Sequence, residues 1–76
     1  MQRRRPDSVI THLTSREQEV LGLMAEGRSN AGVANLLGIS DRTVEAAAAA
    51  IFQKLGLAPS PDTNRRVLAV LALLRN

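Results

Sequence analysis

At 76 residues, with no cysteine, a net charge of +3 and a sequence pI near 11.1, the chain is at most one small domain, without disulfides or thiolate metal sites, and it favours a polyanionic partner. The single histidine, His12, has nothing beside it in the sequence to complete a nucleophile–base pair or a metal cluster, and no phosphate-cradling glycine loop occurs, so an enzyme, a metal and a cofactor are all read as absent. The longest unbroken apolar run, Val67 to Leu74, is far short of the roughly 20 residues a membrane span requires, which points to a soluble, cytoplasmic protein with no membrane partner.

Residues 1–12 read as a linker or basic arm, because Arg3, Arg4, Arg5, Pro6 and Asp7 carry no apolar periodicity and His12 reads as a solvated surface residue. The domain proper is expected over residues 13–76. Thr14 followed by Glu17 fits a capping box, and Val20, Leu21, Leu23 and Met24 give the apolar stripe of a first helix from Ser15 to about Glu26, ended by Gly27. Ser29 caps a second helix, Asn30 to Leu37, with Val33, Ala34, Leu36 and Leu37 inward and Gly38 at its end. Ser40 caps a third, Asp41 to about Leu55, with Val44, Ala48, Ile51 and Leu55 inward and Gly56 as its stop. Ser60 and Pro61 read as the cap and first residue of a fourth helix running to Leu74. No repeat and no strand-like alternation interrupts this series. The expected fold class is all-α, with four helices.

Only Gly38, Ile39 and Ser40 join the second and third helices, too few to lay them antiparallel. Ala34 is small where the axes approach, Gly38 permits a positive φ, and Val44 fills the angle, which is the general helix-turn-helix spacing. Because Phe52 is the sole aromatic residue, base-stacking platforms for single strands are missing, and duplex DNA is the better partner.

The run LTSREQEVL from Leu13 to Leu21, then AEGRSN from Ala25 to Asn30, Val33-Ala34, Leu37, Ile39-Ser40, Thr43-Val44-Glu45 and IFQKLGL from Ile51 to Leu57 resemble the LuxR-type helix-turn-helix. The likeness is strongest to the effector domains of NarL/FixJ two-component response regulators. It covers Leu13 to about Leu74 in unbroken order, and the ending Asn64 to Leu71 looks like a form frequent in actinobacterial members. The resemblance implies a C-terminal effector domain that docks its third helix in the major groove as a dimer, behind a receiver domain that this chain does not contain. The chain is accordingly expected to be a fragment of a transcription regulator.

Carried onto this sequence, the family's roles place Glu45, Ala46 and Ala49 at bases, and Arg42, Thr43, Ala50 and Lys54 nearer phosphates. The pattern departs from the family at Glu45, where lysine is more frequent, at Ala47, where histidine is, and across the whole run Ala46 to Ala50, where several polar or basic residues are usual. Alanine offers no hydrogen bond to a base edge. The run therefore reads as engineered substitution or as side chains left unassigned, over and above helix stabilisation; if it is native, specific readout is weak. A helical protein-interaction module with weak DNA binding is the competing reading. In the fourth helix, Val67, Val70, Leu71 and Leu74 share one side and Leu68, Ala69, Ala72 and Leu73 the other. The first set is expected on the domain's own core and the second on another copy of the chain, in line with the resemblance.

Overall fold

The computed structural model describes residues 9–75, so the basic arm read at Arg3 to Arg5 lies outside the described residues. A 3₁₀ turn, Val9–His12, leads into four α-helices: α1 (Ser15–Ala25), α2 (Asn30–Leu37), α3 (Asp41–Lys54) and α4 (Arg65–Arg75). Among the described residues there is no strand, and the domain is all-α as its sequence pattern requires.

The first three helices start at side-chain caps. Thr14 and Glu17 form the full capping box, the Thr14 N–H donating to Glu17 Oε1 at 2.9 Å and the Glu17 N–H to Thr14 Oγ1 at 3.1 Å. Ser29 Oγ accepts from the Gly32 N–H at 3.1 Å and Ser40 Oγ from the Thr43 N–H at 3.0 Å, each satisfying a backbone donor that the helix itself leaves unpaired. Between α2 and α3 the chain redirects within three residues. Gly38 takes φ 70° and ψ 34°, a left-handed conformation that a Cβ disfavours, and the Ile39 N–H then reaches back to the Ala34 carbonyl at 3.1 Å, closing the end of α2.

The core gathers Val20, Leu21 and Met24 from α1, Val33 and Ala34 from α2, Val44 and Ile51 from α3 and Ala69 from α4. Val20, Leu21, Val33, Val44 and Ile51 have no exposed surface, and each such side chain stabilises the fold by about 1.5–3 kcal/mol relative to exposure. Ala34 and Val44 thus occupy the buried places their spacing around the turn demands.

Leu36, read as facing inward on α2, is 55% exposed, and three further expectations change. Ile10 is 6% exposed and Leu13 5%, so packing starts inside the segment read as a linker; Gln18 secures it, its Nε2 donating to the Leu13 carbonyl at 3.2 Å and more weakly to that of Ile10 at 3.4 Å. The last helix begins at Arg65 instead of Pro61. Ser60 Oγ serves only a local turn, accepting from the Asp62 N–H at 3.1 Å, whereas Asn64 Oδ1 accepts from the N–H groups of Arg66 and Val67 at 2.9 and 3.2 Å and is the true cap.

The third change is the rotation of α4. Ala69, assigned to a partner copy, is wholly buried in the core, Leu73 packs against the same core, and Leu68 and Ala72 are half-buried. Val67, Leu71 and Leu74, assigned inward, are the exposed members at 53%, 37% and 71%. A helix that is apolar all round carries no polar stripe to set its rotation. Polar anchors at its start set it instead: Arg66 Nη1 donates to Asn30 Oδ1 at 2.9 Å and Nη2 to the Arg28 carbonyl. With that turn fixed against the start of α2, the small Ala69 lets the α4 backbone approach the core closely.

Candidate nucleic-acid interface

The third helix is buried along Val44, Ala48 and Ile51, with Ala47, Phe52 and Leu55 packed against the core beside them. At about 100° per residue this leaves Arg42, Ala46, Ala49 and Gln53 as an outward ridge, and all four are exposed. Thr43 and Glu45 are exposed as well, while Ala50 is half-buried. The reading positions inferred from the sequence, Glu45, Ala46 and Ala49, therefore share one solvent-facing side of α3, with Arg42 at its head. Two of the five alanines, Ala47 and Ala48, belong to the packed side.

Two of the residues read as phosphate contacts, Thr43 and Lys54, are engaged locally. Thr43 Oγ1 lies 2.9 Å from Ser40 Oγ, within the cap of α3. Lys54 Nζ donates to Glu17 Oε1 at 2.7 Å, tying the end of α3 to the start of α1. That bond, aided by the Thr14 N–H, holds the Glu17 carboxyl below the ordinary carboxylate range. Lys54 thus acts first as a structural cation. Its side chain remains 37% exposed.

On the flank of the ridge nearest α4, Glu45, Ala49 and Phe52 face the start of that helix across a shallow hollow of about 350 Å³, also bordered by Asn30, Asn64, Arg65 and Arg66. A neighbouring hollow of about 320 Å³ runs between Ala49, Gln53, the Gly56–Pro59 connection and Arg65. The Arg65 guanidinium lies over the Phe52 ring, 4.8 Å from its centroid. Nothing in the sequence periodicity signals that the first turn of α4 returns to the side of α3. The available clue is the adjacent pair Arg65-Arg66 opening an otherwise apolar helix.

An all-α domain with a capped α1, a left-handed glycine turn between α2 and α3, and an outward ridge on the helix after that turn has the form of a helix-turn-helix module. Residues 11–72 match the family model described as "Bacterial regulatory proteins, luxR family". The chain belongs to this family. It is a LuxR-type helix-turn-helix DNA-binding domain of the kind carried by transcriptional regulators. Among individual relatives, the transcriptional regulatory protein TdiR of Thauera aromatica is 43% identical over 54 residues, covering 71% of this chain and 24% of TdiR. The transcriptional regulatory protein MctR of Rhizobium johnstonii is 39% identical over 56 residues, covering 74% of this chain and 26% of MctR. The response regulatory protein YgeK of Escherichia coli is 46% identical over 43 residues, covering 57% of this chain and 29% of YgeK. The luxR-family domain thus spans about a quarter of these relatives' length. No helix among its described residues is long and apolar enough to cross a membrane.

Proposed function

We propose that this domain is the DNA-reading output module of a two-component response regulator, docking α3 in the major groove of duplex DNA as a homodimer. The observation that carries the reading is the exposed ridge Arg42, Ala46, Ala49 and Gln53, set on a rigid helix directly after the turn at Gly38. The relatives support the wider context: YgeK is by name a response regulatory protein, and a receiver domain would occupy part of the length that such relatives have beyond this match. Val67, Leu71 and Leu74 form the apolar strip that a second copy would cover, replacing the Leu68, Ala69, Ala72 and Leu73 set. A two-fold pair would then present two α3 helices to half-sites about one DNA turn apart.

Readout by this ridge is thin. Arg42 and Gln53 can hydrogen-bond to DNA and Glu45 can accept from a cytosine amine, but Ala46 and Ala49 offer only methyl groups. Affinity is therefore expected to be dominated by phosphate neutralisation, with a small margin between a selected duplex and random DNA. Duplexes selected from a random pool by the domain, titrated by fluorescence anisotropy across a salt series, test this. Affinity should fall linearly in log–log form with salt, and Ala46→Arg or Ala49→Arg, followed by reselection, should widen the margin by about 1–3 kcal/mol for each new bidentate pairing with a base. Binding that ignores salt would favour the protein-interaction module, and a large margin with the alanines in place would overturn the reading of the run.

A further inference from the structure

The geometry points to Arg65 as a phosphate contact supplied by α4 from beside the reading helix, an inference that rests on the duplex-binding role proposed for α3. Arg65 borders both hollows that flank Ala49, so its charge lies next to the stretch of α3 that carries none of its own. Its guanidinium is stacked on Phe52 at 4.8 Å. Stacking engages the planar face and leaves the in-plane N–H edge available for hydrogen bonds. Among the described residues Arg65 makes no ion pair, whereas Arg16 and Arg28 are paired with Glu19 and Glu26. A half-buried, stacked guanidinium also loses little rotamer freedom on binding an anion, unlike a lysine free in solvent.

Position selects the phosphate over the base. The ridge centre follows Arg42, Ala46, Ala49 and Gln53, and Phe52 lies about a quarter turn round the helix from it. The major groove is about 12 Å wide and admits one helix, so a group on the flank of the inserted helix meets the sugar–phosphate wall, not the base edges. Glu45 shares the first hollow and would repel that wall. Arg65 offsets this carboxylate where the chain departs from the basic residue more frequent in its family.

The test compares wild-type domain with Arg65→Ala and Arg65→Lys on a selected and a random duplex across a salt series, with thermal melts alongside. Removing one phosphate contact should reduce the slope of log affinity against log salt by about 0.9. Both duplexes should weaken by the same several-fold factor, because a phosphate contact carries no sequence information. Arg65→Lys should keep the slope close to wild type while binding more weakly, since an ammonium loses the stacked placement. Should Arg65→Ala melt early, Arg65→Gln retains the aliphatic stem and is held to the same slope criterion. An unchanged slope in a folded variant, with wild type binding normally, overturns the role of Arg65 and leaves that of α3 standing. A loss confined to the selected duplex does the same, by marking a base contact. Absence of salt-dependent binding in the wild type overturns both.

Discussion

Gly38 is where one residue's backbone decides the geometry of the module. Its φ of 70° places it in the left-handed region, yet a Cβ built there would meet nothing within 4 Å. The cost of a side chain is therefore conformational and not steric. For an L-residue that cost is roughly 1–2 kcal/mol, at the upper end for a β-branched side chain. Gly38→Val should accordingly lower the melting temperature by about 5–15 °C, and Gly38→Asn by less, because asparagine tolerates this conformation. Calorimetry or circular dichroism melts check it. A melting temperature equal to wild type in the valine variant would mean that the turn does not need the left-handed residue.

At the scale of elements, the Glu17–Lys54 pair joins the start of α1 to the end of α3, and it makes the packing of α3 sensitive to acid. The folded domain holds the Glu17 carboxyl below its ordinary range, chiefly through the Lys54 hydrogen bond and next through the Thr14 N–H. A carboxylate whose pKa is lowered by folding contributes stability above its unfolded value. That contribution is lost as pH falls from about 4.3 through the folded value, and is gone once both states are protonated. Glu17→Gln keeps an oxygen to accept from the Thr14 N–H and removes only the charge. At pH 7 it should melt about 2–6 °C below wild type, the modest effect of a partly exposed pair. The gap should close in melts taken well below pH 4. A gap that persists there would assign the loss to packing and not to charge.

For the whole molecule, the rotation of α4 decides which apolar strip is offered to a partner. Val67 and Leu71 stand exposed beside a hollow of about 200 Å³ that they share with Met24, Arg66 and Val70, whereas Leu73 is packed on the core. A carboxylate placed at either face therefore has distinguishable effects. Leu71→Glu should abolish a concentration-dependent dimer in sedimentation while leaving the monomer's melting temperature near wild type. Leu73→Glu should instead lower the melting temperature by ~10 °C or more, because it places a charge against the apolar interior. Wild type sedimenting as a monomer at all concentrations, with and without DNA, would remove pairing through α4.

What the sequence determined by itself is everything governed by short-range rules. Thr14, Ser29 and Ser40 are caps because their oxygens sit three residues before the donors they satisfy, and the bounds of α2 follow from Ser29 and Gly38 alone. Alternation of apolar and polar residues fixed the inward sides of α1 and α3. The family pattern, an ordered series of such local features, was equally legible, and with it the placing of Glu45, Ala46 and Ala49 on one exposed side. Tertiary structure decided where those rules were silent or in competition. Ser60 and Asn64 are both chemically fit to cap α4, and Asn64 prevails where the first turn it opens also anchors Arg66 to Asn30 and the Arg28 carbonyl. The run from Val67 to Leu74 is apolar on every side, so no periodicity says which face turns inward; those anchors, far away in sequence, rotate Ala69 into the core. The same contacts return Arg65 to Phe52, a meeting of two helices that no local pattern encodes.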